Sequence, residues 1–334
     1  MEKPKLNIGV IGCGTIARNR HIPELFENPN VHEIVLGDTR YDTLEDLVSK
    51  YKISRNFTGV NAWEEIINKD DIDAVIISTP NEYHAEISIE ALNKGKAVLV
   101  EKPMATSITE GEKMIEAAEK NNKLLLIAHH RRHQYCYITG KKILKSGMLG
   151  KIQGILAQHK QSGPIEWAPN STWFFDKTNK GGGVMFDIGI HMADIVSWYT
   201  EDEAIETSSL ITQQYTAFEQ TKAIVKMESG IGVVIDVAWG IFEPEKRVTV
   251  YCEDGKVIID EYANNQVQVF LNKPKGTSGV FKIPEHPNNL MNFPKYGVID
   301  HFINCIRGGK LERNRLREHL NALKIVYKST QNKL

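Results

Sequence analysis

The sequence predicts two folded units in series: a doubly wound α/β domain with a parallel sheet over residues 1–128, and an α+β domain with a large, mainly antiparallel open sheet over 129–334. Three observations carry this. A length of 334 residues exceeds what one ordinary core holds. The first third alternates short apolar runs with amphipathic stretches, the texture of βαβ units. Beyond Ala128 the chain turns to long β-type stretches broken by Gly, Asn, Asp and Pro.

In the first domain the apolar runs Leu6–Ile11, Glu33–Gly37, Ala74–Ser78, Ala97–Val100 and Leu124–Ala128 are the expected strands. Ser107-Ile108-Thr109-Glu110 has the spacing of a capping box and opens a helix to about Asn121. In the second domain a helix near Tyr137–Ser146 precedes strands at Ile152–Lys160, Thr207–Thr216, Thr221–Glu228, Gly232–Trp239, Arg247–Cys252, Lys256–Asp260 and Gln266–Leu271. A helical segment around His191–Tyr199 interrupts them. Helices near Val298–Arg307 and Arg313–Thr330 close the chain, and these C-terminal helices are candidates to pack back on the first domain.

Directly after the first strand stands Gly12-Cys13-Gly14-Thr15-Ile16-Ala17, a GxGxxA pattern entering a helix. The glycines permit a tight turn and close backbone approach, and the helix start presents N–H groups and a positive dipole end to a pyrophosphate. Gly12, Gly14, Thr15 and Ile16 are thus the expected phosphate cradle of a Rossmann domain. Asp38 closes the second strand, where a carboxylate can bind the two hydroxyls of an adenosine ribose, which favours NAD. Arg40 would serve the 2′-phosphate of NADP, the alternative cofactor.

Composition narrows the partners. With 41 Lys+Arg against 42 Asp+Glu, the chain has no global field to attract nucleic acid or an anionic membrane. The four cysteines are scattered without a CxxC pair, so neither a disulfide framework nor a thiolate zinc site is expected. No apolar run approaches the ~20 residues of a membrane span, and a cytoplasmic protein is expected.

Three further segments follow in order: Ser78-Thr79-Pro80-Asn81-Glu82-Tyr83-His84, then Glu101-Lys102-Pro103, then Gly181-Gly182-Gly183 leading to Asp187-Ile188-Gly189-Ile190-His191. Together with the glycine loop they resemble the glucose-fructose oxidoreductase/inositol dehydrogenase (Gfo/Idh/MocA) family. The resemblance implies that Lys102, Asp187 and His191 form the catalytic group at a domain cleft. It also implies that Thr79, Asn81, His84 and Glu101 line the cofactor. The implied reaction is NAD(P)-dependent interconversion of a secondary alcohol and a ketone on a sugar, sugar derivative or cyclic polyol.

The chemistry of the residues agrees. Oxidising an alcohol needs a base for the hydroxyl proton, since the cofactor takes only the hydride. Asp187 and His191 are four apart, so on a helix they share a face and the carboxylate can orient the imidazole. Lys102 can stabilise developing alkoxide charge and join in substrate binding. In His129-His130-Arg131-Arg132-His133, after the last Rossmann strand, Arg131 is the expected substrate contact. His129 and His133 have helical spacing but no further ligand at a recognisable distance, so no metal is expected. Trp173 is expected near the pocket. Dihydrodiol-type or internally cofactor-recycling chemistry, and non-catalytic cofactor binding in regulation, are the competing readings. A sheet face in need of cover suggests a homodimer or homotetramer.

Overall fold

The computed structural model describes residues 3–167, 173–176, 181–241, 243–262, 266–272, 279–283, 297–311 and 313–332. The chain forms two compact units, Met1–Ala128 with Val298–Arg317, and His129–Gly297 with Glu318–Leu334.

The first unit carries six parallel strands: β1 (Leu6–Ile11), β2 (Val31–Asp38), β3 (Arg55–Thr58), β4 (Ala74–Ile77), β5 (Ala97–Val100) and β6 (Leu125–Ile127), in the order β3-β2-β1-β4-β5-β6. β4 and β5 read Ala-Val-Ile-Ile and Ala-Val-Leu-Val and are buried throughout, as strands covered on both faces must be. The helix Ile108–Lys120 starts where the Ser107 hydroxyl accepts the Glu110 N–H at 3.2 Å. The helix Val298–Gly308 sets Val298, Ile299, Phe302, Ile303 and Cys305 into the same core as Leu6, Ile8, Val10 and Leu36. The sequence reading has no strand at Arg55–Thr58. Its residues are polar apart from Phe57, and β3 is the edge strand, where burial gives no apolar run to read. Strand order reverses between β1 and β4, and in such sheets ligands bind in the crevice outside the carboxyl ends at that switch point.

The second unit is built on an eight-stranded sheet of β7 (Ile152–Lys160), β8 (Ala204–Thr212), β9 (Gln220–Met227), β10 (Gly232–Ala238), β11 (Glu245–Cys252), β12 (Gly255–Asp260), β13 (Gln266–Leu271) and β14 (Gly279–Ile283). The order is β14-β13-β12-β11-β7-β10-β9-β8, antiparallel except where β7 meets β10. Alternation sorts the faces. Ile155, Ala157, His159, Val233, Ile235, Val237, Val257 and Ile259 point to a buried face, against which the helices Tyr135–Lys145 and Ile190–Thr200 pack. On the opposite side Leu210, Ile224, Val234 and Tyr251 are exposed.

Candidate active site

In the first unit the phosphate loop is fixed by backbone geometry. Gly12 has φ +85°, and a Cβ there would stand 2.7 Å from the backbone of Ser78 and Thr79, so only glycine allows β1 and β4 to end side by side. The Gly12 N–H donates to the Gly37 carbonyl at 2.8 Å, and the Ser78 hydroxyl donates to the Gly12 carbonyl at 2.7 Å. A Cβ on Gly14 would meet nothing within 4 Å, while Ala17 is fully buried. The turn is thus open on its outer side, where a pyrophosphate would lie against the helix start at Thr15, and closed on its inner side. The Asp38 carboxylate accepts the Cys13 N–H at 2.8 Å and the Arg40 N–H at 3.0 Å, which holds it at the lip of this turn. The Arg40 guanidinium is exposed and lies 3.8 Å from Asp42. Burial, and then Asp38, push the Cys13 thiol up to about 12, so it is not a nucleophile.

Beyond β4, the Thr79 hydroxyl oxygen is buried with no hydrogen-bond partner among the described residues, a polar group that a ligand would satisfy. Asn81 is buried in the short helical turn Asn81–Tyr83. His84 is fully buried, with its ring nitrogens 2.8 Å from the Pro103 carbonyl and 2.9 Å from the Thr79 carbonyl. Burial lowers its pKa against the pull of those carbonyls and Glu101. His84 therefore ties the Thr79 turn to the segment after Lys102. Glu101 is buried against His21 at 2.9 Å and also accepts the Lys102 N–H at 3.1 Å. The Lys102–Pro103 peptide is cis, and the Lys102 side chain is half-buried.

In the second unit the Gly181–Gly183 turn leads into a π-helical turn, Met185–Gly189, and then the helix Ile190–Thr200. Such π turns recur at functional sites. Four residues across this junction span close to one turn, which sets Asp187, 6% exposed, and His191, half-buried, on one side of the segment. The turn is anchored by the residue just before β9. Gly183 has φ +86°, and a Cβ there would stand 3.1 Å from Glu219 Oε1, which accepts the Val184 N–H at 3.2 Å. The other Glu219 oxygen accepts the Tyr215 N–H at 2.5 Å. The His191 ring lies tilted at 43° to that of His159, centroids 6.3 Å apart.

Arg131, the expected substrate contact, is buried. Its Nε donates to Glu261 Oε2 at 3.0 Å, and the Tyr137 hydroxyl donates to the same oxygen at 3.2 Å. Burial works against the charge of Arg131, but Glu261 outweighs it and raises its pKa. Trp173 opens the short helical turn Trp173–Phe175, and its side chain lies outside the described residues.

Sequence reasoning passed over Glu219, Glu261, Lys246, His159 and the network around Asp194. Asp194 follows His191 by three on the same helix, a spacing that could have signalled it. Its oxygens accept from Arg132 at 2.8 and 2.7 Å, and His319 Nδ1 lies 2.9 Å away. His319 is 125 residues distant in sequence, so no local pattern announces it. Burial would raise the Asp194 carboxyl, but Arg132, His129 and His319 hold it well below the usual carboxylate range. His129, Asp194 and His319 bring three potential ligand atoms within 4.8 Å of one another. The guanidinium clamped on both Asp194 oxygens puts a fixed positive charge there, and the cluster reads as a buried ion-pair network.

Comparison with known proteins agrees with this geometry. Residues 6–129 match the Gfo/Idh/MocA oxidoreductase family model with an NAD-binding Rossmann fold, and residues 137–258 match the family's C-terminal domain. The chain is 27% identical to an oxidoreductase from Formosa agariphila over 78% of this chain and 81% of that one. It is 27% identical to 1,5-anhydro-D-fructose reductase from Ensifer adhaerens, covering 84% of each. Among solved structures, an oxidoreductase domain protein from Kribbella flavida superposes with a TM-score of 0.83 at 20% identity, covering 99% of this chain and 97% of that one. Among the described residues no helix is long and apolar enough to cross a membrane. With a glycine turn built for a pyrophosphate at the switch point of a parallel sheet and both family models matched in order, the chain belongs to the Gfo/Idh/MocA family and is an NAD(P)-dependent oxidoreductase.

Proposed function

We propose that this enzyme interconverts a secondary alcohol and a ketone on a sugar, sugar derivative or cyclic polyol. The observation that carries the reading is the Asp187–His191 pair, set on one side of a π-to-α junction and anchored through Gly183 by the buried carboxylate of Glu219. Relatives that include an inositol 2-dehydrogenase from Salmonella typhimurium and a levoglucosan dehydrogenase from Pseudarthrobacter phenanthrenivorans support the substrate class.

In the oxidative direction His191 takes the hydroxyl proton, while Asp187 orients the imidazole and stabilises its charged form. Lys102 hydrogen-bonds the reacting oxygen and stabilises negative charge as it develops there. Thr79, Asn81 and Glu101 hold the nicotinamide end of the cofactor, and His84 supports them by bracing the Thr79 and Pro103 carbonyls. When bound, the cofactor accepts or returns the hydride. Asp38, anchored by two backbone N–H groups, favours the ribose diol of NAD over the 2′-phosphate of NADP. Arg131 acts through Glu261, shaping the pocket from its buried ion pair. The enzyme works in the cytoplasm as a homodimer or homotetramer that covers the sheet face from which Leu210, Ile224, Val234 and Tyr251 are exposed.

The test is absorbance at 340 nm with NAD or NADP against inositols, hexoses, sugar phosphates and nucleotide sugars, for wild type and Lys102→Ala. Substrate-dependent reduction that Lys102→Ala loses, at unchanged NADH affinity, is the expected result. Tight cofactor binding with no turnover on any member of the panel would overturn the substrate class.

A further inference from the structure

A second lysine stands on the same sheet face as the Asp187–His191 segment. Lys246 on β11 is the register partner of His159 on β7, and directly opposed residues of antiparallel strands project to one face. His159 is 2% exposed, and its ring lies 6.3 Å from that of His191, centroid to centroid. The Lys246 ammonium lies 3.4 Å from Glu261 Oε1 and 4.9 Å from the centre of the Tyr262 ring. The other oxygen of Glu261 is engaged by Arg131 and the Tyr137 hydroxyl at shorter range, so the Glu261 charge is answered first by Arg131.

Asp187 is a second carboxylate whose field acts on Lys246. Burial pushes the Lys246 amine below the ordinary lysine range and Arg131 adds to this, while Glu261 and Asp187 oppose. The groups that set the local balance are therefore Arg131 and Lys246 on the positive side, Glu261 and Asp187 on the negative side, and the rings of Tyr137, Tyr262, His159 and His191.

We propose that Lys246 is a positioning residue of this site, whose charge offsets the pull of Asp187 on the His191 imidazole and keeps that imidazole in the neutral form that can accept a proton. The inference rests on the reading of Asp187 and His191 as the proton-handling pair. A carboxylate beside a histidine favours its charged form, so an unopposed Asp187 works against the neutral imidazole that a base requires. A like charge on the same face lowers the imidazole pKa and restores the base without removing the carboxylate that orients it.

The test reads protonation directly and needs no substrate. In full-length protein carrying labelled histidines, the His191 resonance, assigned by its loss in His191→Gln, is titrated by NMR in wild type, Lys246→Met and Lys246→Arg. The expected result is a rise in the His191 pKa of about half to one unit in Lys246→Met, with Lys246→Arg close to wild type. Lys160→Met is the control, because Lys160 lies on the opposite face between Asp236 and Glu245, and it should leave His191 unmoved. An unchanged His191 in Lys246→Met, or an equal shift in Lys160→Met, would overturn the proposal. Lys246→Gln is a second neutral variant, and collapse of the fold in both neutral variants would assign Lys246 to structure and equally overturn it. If the sugar and polyol panel gives no turnover while the titration shifts as expected, the substrate reading fails and the role of Lys246 in setting His191 stands.

Discussion

The two units carry their functional groups in contrasting ways. The phosphate turn of the first unit is made of contiguous residues, Gly12 to Ala17, and works through backbone: a positive φ at Gly12, an open outer side at Gly14 and an absent Cβ. The Asp187–His191 region of the second unit is made of side chains drawn from β7, β11, two helices and two turns, with Glu219, Glu261 and Arg131 behind them. A backbone site tolerates exchange of the side chains around it but not a change of chain path. A side-chain site depends on each ion pair that fixes it, and the expected effects below follow that division.

The largest effect is expected at the side-chain site. Asp187→Asn and His191→Ala should each lower kcat by a factor of roughly a hundred to ten thousand, the usual contribution of a positioned acid–base group. NADH affinity, read by calorimetry, should stay near wild type. Equal losses in kcat and cofactor affinity would erase the distinction between the two regions.

Next comes the support under His191. Asp194→Ala leaves Arg132 buried without its clamp, and a broken buried pair costs about 3–5 kcal/mol. Because the folded Asp194 pKa lies below its unfolded value of about 3.9, its stabilisation is fully present above that pH and is lost progressively as pH falls from there toward the lower folded value. The urea midpoint of wild type should therefore drop steeply below about pH 4, and Asp194→Asn should flatten that drop.

Gly12→Ala attacks the backbone site. Strain at φ +85° costs on the order of 1–3 kcal/mol, and the added methyl meets the Ser78 carbonyl. NADH affinity should fall tenfold or more by fluorescence titration, since each ~1.4 kcal/mol is a factor of ten. The smallest effect belongs to Asp38→Asn. It replaces a charged acceptor with a neutral one, a difference of about 1 kcal/mol, at a site whose geometry the backbone maintains, so NAD affinity should fall less than tenfold while the NADP to NAD preference rises. A larger loss from Asp38→Asn than from Gly12→Ala would show that the carboxylate, not the turn, carries cofactor binding.

Much of the fold was legible because hydrophobic period and turn chemistry are local. Leu6–Ile11, Ile152–Lys160 and Gln266–Leu271 form strands over the bounds their apolar patterns predict, and Ser107 caps its helix through Glu110. The β8 strand begins at Ala204 rather than Thr207 and ends at Thr212, because Gln213 and Tyr215 take positive φ and turn the chain toward Glu219. β3 escaped because a polar edge strand is held by its neighbour's hydrogen bonds and not by its own pattern.

What the sequence by itself determined, then, is whatever a short stretch of chain can specify: the glycine turn, the strand and helix periods, the 187 and 191 spacing and the family they point to. The tertiary structure decided what lies between distant residues. It placed Arg131 on Glu261, 130 residues away, and His319 on Asp194, 125 away. It set Lys246 beside His159 through strand register. The reason is physical: a hydrogen-bonding partner across a sheet or between helices is selected by packing and desolvation, and neither leaves a periodic mark in the chain that carries it.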